Sequence, residues 1–211
     1  MRKKTWLLLS LVVLLIMPIQ TIFAKEKTNE RVITDPIEIK KIAEDRNLEI
    51  PEGYHIEEIK YTDVYFPDYN YTRYKNEENI QPYWFDSWKL KNVKKQNGDV
   101  YFPNSPLVSD WAYGPANFKH VYEESVTASF SSSTGVKASV VEAAVGFDVS
   151  ESKEFSREYT VEIPRGKKVN IKVYGMYEKY TFDVYKNDKY EGNGKAFKPI
   201  GLKFEQFIYS K

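Results

Sequence analysis

Proton-moving chemistry in this chain rests on its histidines and carboxylates, and their spacing does not build a catalytic centre. There are two histidines, His55 and His120, and no cysteine. Nucleophilic catalysis needs a hydroxyl or thiol held against a base, and neither histidine lies in such a motif. The sequence has no Gly-x-Ser-x-Gly turn, no His-Glu-x-x-His pair and no glycine-rich phosphate loop. Carboxylates of the glycosidase kind are far apart in sequence, and no pair stands out among the 30 acidic residues. Asp68-Tyr69-Asn70 and the run Asp183 to Asp188 offer oxygens without the regular spacing of a calcium loop, so both read as turns. The expectation is a protein that is not an enzyme and needs no cofactor or metal.

Aromatic rings are the other residue type in unusual supply. Between Tyr61 and Trp88 they recur with no lasting period, interleaved with Asn, Asp, Lys and Pro. Sugar rings stack on flat aromatics and tyrosine adds a hydroxyl. Tyr69, Tyr71, Tyr83, Trp84 and Trp88 are therefore candidate contacts for a surface, glycan or protein partner. The competing reading is a loop-rich cap whose rings pack on a neighbouring sheet.

These residues must be carried by a fold built outside the cell. Met1 to Ala24 has a basic head (Arg2, Lys3, Lys4), an apolar stretch from Leu7 to Met17 and a small residue before Lys25, the layout of a secretory signal. That apolar stretch is shorter than the roughly 20 residues of a bilayer span, so cleavage near Ala24 and an extracellular location are expected. Losing Arg2, Lys3 and Lys4 reduces 31 basic residues to 28 against 30 acidic, a charge near −2. A weakly acidic chain lacks the clustered positive face that displaces counterions from duplex phosphates, which excludes nucleic acid as a partner. Without cysteine no disulfide staples the fold, and the core must stabilise it unaided.

Turn signals and periodicity divide the mature chain near residue 115. The first part, 25–115, reads as an N-terminal α/β unit with aromatic-rich loops. Lys25 to Asn29 is a charged, mobile start. Asp35-Pro36-Ile37-Glu38 supplies an N-cap, a first-turn proline and an acid that reaches back to the cap. Ile39, Ile42, Ala43 and Arg46 continue the helix, Asn47 stops it, and Leu48 to Tyr54 is the exit turn. A strand follows through Ile56, Ile59, Tyr61 and Val64. Lys91 to Asp99 reads as a turn with Asn97-Gly98 at a hairpin apex, and Leu107 to His120 as a connection.

The second part, 116–211, reads as an antiparallel β domain. From Ser125 to Ser133, Val126, Ala128 and Phe130 alternate with small hydroxylated residues, so the two sets face opposite sides of a strand. After Thr134-Gly135 the alternation continues and changes phase at Val140-Val141, which favours a strand over the helix that the alanines would support. Phe155 to Ile163 alternates again. Pro164 to Lys167 is a turn, predicted to fold Val169 to Val173 back as a hairpin partner. Further strands are expected at Tyr180 to Tyr185 and Leu202 to Ile208, with turns at Asn187-Asp188 and Gly192-Asn193-Gly194. The fold class is mainly β: an antiparallel β-sandwich-like or elongated sheet with a small N-terminal α/β element.

Three stretches of this half, SVTASFSSST, VGFDVSESKEFSREYTVEIP and PRGKKVNIKVY, together resemble the aerolysin-like β-pore-forming toxins of the epsilon-toxin and mosquitocidal-toxin type. In that family serine- and threonine-rich strands leave the body and insert as a barrel with a polar lumen. The resemblance implies a membrane strand in which Ser125, Thr127, Ser129 and Ser131 line water while Val126, Ala128 and Phe130 face lipid. Membrane contact and a homo-oligomer belong with it. Taken together with that resemblance, the sequence points first to a secreted binding protein, then to such a pore-forming module, then to a secreted inhibitor or immunity protein.

Overall fold

The computed structural model describes residues 28–67 and 87–211. The segment Met1 to Ala24 and the ring candidates Tyr69, Tyr71, Tyr83 and Trp84 lie outside the described residues. In chain order the elements are β1 (Thr28–Ile33), α1 (Pro36–Asp45), β2 (His55–Tyr65), β3 (Trp88–Lys95), β4 (Val108–Tyr113), β5 (Ala116–Thr127), β6 (Ser129–Ser132), α2 (Ala138–Val145), β7 (Ser152–Ile163), β8 (Lys168–Lys186) and β9 (Lys189–Ser210). All but two of the strands join one antiparallel sheet, and β5 and β7 form a second sheet of their own.

The 19 residues of β8 and the 22 of β9 form one long hairpin. At about 3.3 Å per residue it extends roughly 60 Å. Asn187 and Asp188 close it with positive φ at both positions, 50° and 62°, the backbone that a two-residue hairpin turn requires. Lengthwise, β3, an isolated bridge from Val100 to Tyr177, and β4 line the free edge of β8 in succession. The free edge of β9 is lined by β6 and then β2, with β1 outside β2.

Several local expectations change in this frame. Lys91 to Asp99 is not a hairpin turn, because Gln96 and Val100 both donate to β8 carbonyls, at 2.8 and 2.9 Å, on either side of Asn97-Gly98. The long edge of β8 satisfies backbone on both sides of the loop, so the chain bulges and carries on. Gly192-Asn193-Gly194 is likewise inside β9. A Cβ on Gly194 would stand 2.3 Å from the Phe182 ring and 2.8 Å from the Ser131 carbonyl, so this glycine serves the close approach of β6 rather than a turn. Leu107 to His120 is mostly strand, and the amino-terminal start is ordered from Thr28, which pairs with Val64.

The helix at α1 begins as expected, with Asp35 accepting from the Ile37 amide at 2.9 Å. Glu38 does not return to the cap; it pairs with Arg31 at 2.6 Å. Ile39, Ile42 and Ala43 pack on Ile33, Ile56, Ile59, Phe207 and Tyr209. The segment read as a continued strand is instead α2. It buries Val141 and Val145 against Tyr180, Phe182 and Val184, and Gly146 ends it at φ 79°. Its three alanines, Ala138, Ala143 and Ala144, favour the helix, and the turn at Thr134-Gly135 has already taken the chain off the sheet edge.

Two further corrections concern the second sheet. The strand from Ser125 to Ser133 breaks at Ala128, where β5 leaves its partner β7 and β6 joins β9. The predicted hairpin of Phe155 to Ile163 with Val169 to Val173 does not form, since β7 pairs with β5 along its whole length. Pro164 to Lys167 does turn, with Lys167 donating to the Pro164 carbonyl at 3.2 Å. It carries the chain from one layer to the other, and Ile163 and Val169 meet in the same core.

Arg46, at the end of α1, ties the helical unit to the spine. Its Nη1 donates to Glu205 Oε2 at 2.6 Å, and its Nη2 donates to the Tyr101 hydroxyl. The Glu205 side chain is 0% exposed. Burial alone works against the Arg46 charge, but the hydrogen bond to Glu205 and that residue's charge hold its pKa above the usual arginine value. Removing one partner of a buried pair leaves an uncompensated charge. Arg46→Ala is expected to lower unfolding free energy by about 3 kcal/mol or more in urea titrations; a loss below about 1 kcal/mol, the range of surface pairs, would show that the pair does not hold the helix.

Candidate functional site

Alternation in β5 and β7 sorts their side chains onto two faces. Inward, Tyr122, Val126, Phe155 and Ile163 are buried and Phe118, Tyr159 and Val161 half-buried, against Val64, Phe66, Ile171, Val173, Leu202 and Phe204 of the main sheet. Outward stand Ser125, Thr127, Ser156, Thr160, Glu154, Glu158 and Glu162, all exposed. Ser129 and Ser131 are exposed in β6, Ala128 is buried at the crossover, and Phe130 is half-buried over the α2 cluster. The 12 residues of each strand pair residue for residue from Ala116↔Ile163 to Thr127↔Ser152. Among the described residues this ribbon has no strand ladder with the sheet beneath it.

Side-chain packing holds the ribbon down. The Tyr159 ring lies parallel to Phe204 at 4.8 Å, and Tyr122 meets Phe204 edge-on at 5.7 Å. Gln206 donates to the Tyr159 hydroxyl. The polar atoms of this interface are only partly matched. Gln206 Oε1 is buried without a hydrogen-bond partner among the described residues, and the buried Tyr122 hydroxyl and Asp110 carboxylate face each other without a well-formed hydrogen bond. Burial, and then the nearby Asp110 charge, push the Tyr122 phenol above its usual pKa. An unmade bond at a buried polar atom costs about 1–3 kcal/mol, so this interface is weaker than its apolar area suggests. His120 stands 4.0 Å from Asp110 at its margin. Glu124, Lys153 and Arg157 share the inner side, with Lys153 Nζ reaching 5.9 Å from the Phe66 ring centre.

A second feature lies at the hairpin end of the spine. There β3, β8, β9 and β6 run side by side, and a groove of about 690 Å³ opens on the face opposite α2. Its central row crosses four strands: Lys94, Thr181, Lys195 and Ser131. The next row brings Asp183 and Asn193 together, with Asn92 donating to Asp183 at 2.7 Å. In sequence Ser131 stood out only as a candidate membrane-strand position and Asp183 only as part of a turn, while the lysines did not stand out. The available signal was the polar alternation Lys179, Thr181, Asp183 between buried Tyr180, Phe182 and Val184. A smaller cavity of about 460 Å³ lies beside Arg46, Tyr61, Tyr101 and Lys203. Its cations are already neutralised, Arg46 by Glu205 and Lys203 by Asp63.

Trp88, the one described member of the ring candidates, opens β3 half-buried against the α2 cluster. Lys186 Nζ sits 5.1 Å from its ring centre. Its position is that of a packing residue with one face covered by a cation.

No family model matches the chain, and no curated protein does. Among solved structures it is similar to the crystal structure of parasporin-2, a Bacillus thuringiensis toxin described as recognizing cancer cells. The match has 11% identity and a TM-score of 0.24, and covers 86% of this chain and 95% of that one. A match that loose assigns neither fold nor activity.

The partly matched ribbon interface has a direct consequence for stability. Tyr122→Phe removes a hydroxyl that only faces the Asp110 carboxylate and keeps the ring, so stability should change by less than about 1 kcal/mol in urea titrations. A loss greater than about 1 kcal/mol would show that the hydroxyl is bonded after all.

Proposed function

We propose that this is a secreted, non-enzymatic, membrane-active protein in which the β5–β7 ribbon leaves the main sheet and inserts as two strands of a β-barrel. This is the mode of action of the aerolysin-like toxins that residues 125–174 resemble. The supporting observation is that the ribbon is hydrogen-bonded to itself, with one mainly apolar face, which also carries Glu124, Lys153 and Arg157, and one hydroxyl- and carboxylate-bearing face. Lifting it breaks side-chain packing and the short β6 ladder, and leaves the β8–β9, β2–β9, β3–β8 and β4–β8 ladders intact. Strands of 12 residues meet the roughly 9–11 that a tilted membrane strand needs. A barrel made from several copies would pair both open ribbon edges, as the lipid interior demands. The outer row of Ser125, Thr127, Ser156 and Thr160 would then line water. The Glu124 and Arg157 positions are diagonal neighbours across the ribbon, within reach of each other for long side chains, so they can neutralise one another on the lipid side.

Two disulfide locks separate this reading from a static binding protein. Ser131→Cys with Lys195→Cys ties β6 to β9, which are opposed in register. Thr127→Cys with Ser152→Cys closes the ribbon on itself, where the native hydroxyls are 3.1 Å apart. Dye entry into a panel of whole cells should be lost in the first variant until reductant is added. It should persist in the second, whose strands stay paired after insertion. Dye entry by the oxidised first variant would rule out insertion of this segment. A second reading, attachment to a surface ligand, is favoured by the polar groove at the hairpin end.

A further inference from the structure

We infer that the groove between β3, β8, β9 and β6 is a binding site for a sulfated polysaccharide. The inference is independent of ribbon insertion, because the groove is complete in the docked protein. It begins with charge. Lys94, Lys179 and Lys195 line the groove, and among the described residues none of them has a carboxylate within ion-pair distance. Other lysines on the sheet do have one: Lys89 and Lys91 share Asp188, Lys95 pairs with Glu178, Lys203 with Asp63 and Lys167 with Glu57. The single acid in the groove, Asp183, is held by Asn92. The groove therefore gathers three lysines without an ion pair against one acid, a positive excess in one concavity, although the whole chain carries a net charge of only +1.

Spacing then selects the ligand. Lys94 and Lys195 occupy one row on strands separated by β8, about 10 Å apart at the usual interstrand distance. Lys179 lies two residues along β8 from that row, about 7 Å away. A chain with an anion on successive sugars can meet all three cations at that spacing without drawing the flexible side chains together on one ion. Between the cations the floor is hydroxyl and amide: Thr181, Ser131 and Asn193. These suit ring hydroxyls, which both donate and accept, and ether oxygens, which accept. The floor is laddered on both sides, β8 lying between β3 and β9, and Tyr180, Phe182 and Val184 pack beneath it against α2. Little ordering is therefore needed on binding. The missing Cβ of Gly194 brings the serine wall of β6 close to β9.

The test uses purified protein and three probes, dextran sulfate, uncharged dextran and inorganic sulfate, with binding measured by titration calorimetry over a salt series. Dextran sulfate should bind, dextran should not, and inorganic sulfate should bind far more weakly per anion. In the variant Lys94→Gln, Lys179→Gln, Lys195→Gln the affinity should fall by roughly tenfold or more. The slope of log affinity against log salt should drop by on the order of two, as expected for three lost cation contacts. A control with Lys41→Gln, Lys137→Gln and Lys189→Gln, all exposed and outside the groove, should stay within about twofold of the parent, a change too small for lost counterion contacts. Equal losses in the two triple variants would overturn the assignment, as would equal affinity for dextran and dextran sulfate, or no binding of dextran sulfate at low salt. Thr181→Glu, an exposed change in the central row, provides a second check. It should weaken binding as the lysine changes do while leaving the unfolding midpoint in place.

Discussion

Both edges of the β8–β9 hairpin carry rows of backbone donors and acceptors that must be paired or covered, and the placement of the other strands follows from this demand. No single short strand can cover an edge some 60 Å long. The chain covers it in instalments: β3, the Val100 bridge and β4 on one side, β6 and β2 on the other. The interruptions occur where the hairpin itself is irregular. At the register shift between Met176 and Tyr177, Pro199 occupies the opposite strand. A residue without an amide proton is tolerated there because the ladder is already broken. The same irregularity separates two regions with different cover, the ribbon and α1 toward one end and α2 toward the other.

The ribbon meets this framework by a different kind of contact. Among the described residues its strands form no ladder with the sheet, so its attachment depends on ring packing around Phe204 and on a polar set that is incompletely satisfied. Apolar contact is non-directional, whereas ladder bonds fix one partner in one register. The two sheets are thus held by different kinds of interaction. The four-residue β6 links them. It continues the ribbon strand and it walls the cationic groove, so occupation of the groove and release of the ribbon act on the same short ladder.

Much of the local structure was legible in the sequence. Period-two alternation placed Val126 and Ala128 on the buried side and Ser125, Thr127, Ser129 and Ser131 on the exposed side, and Asp35-Pro36 and Asn187-Asp188 marked a helix start and a hairpin turn through their own backbone preferences. Alternation reports which face a residue takes and is silent on which strand lies beside it. For that reason β7 was paired with the wrong neighbour and the break at Ala128 passed unseen. Gly192 and Gly194 carried the letters of a turn, but their role, room for β6, exists only when β6 arrives. In α2 the valine spacing suited either element, and the decision came from Tyr180 and Phe182, which offered a surface for a helix to cover.

The sequence by itself determined a β-rich chain, the facing of its strands and its local turns, because these depend on side-chain period and backbone preference within a few residues. Tertiary structure alone decided the partners, the isolation of the ribbon, the pairing of Arg46 with Glu205 across 159 positions, and the gathering of Lys94, Lys179 and Lys195 from three strands into one groove. Those features are distances between segments remote in sequence. They follow from how the long hairpin pairs its edges, which no local pattern encodes.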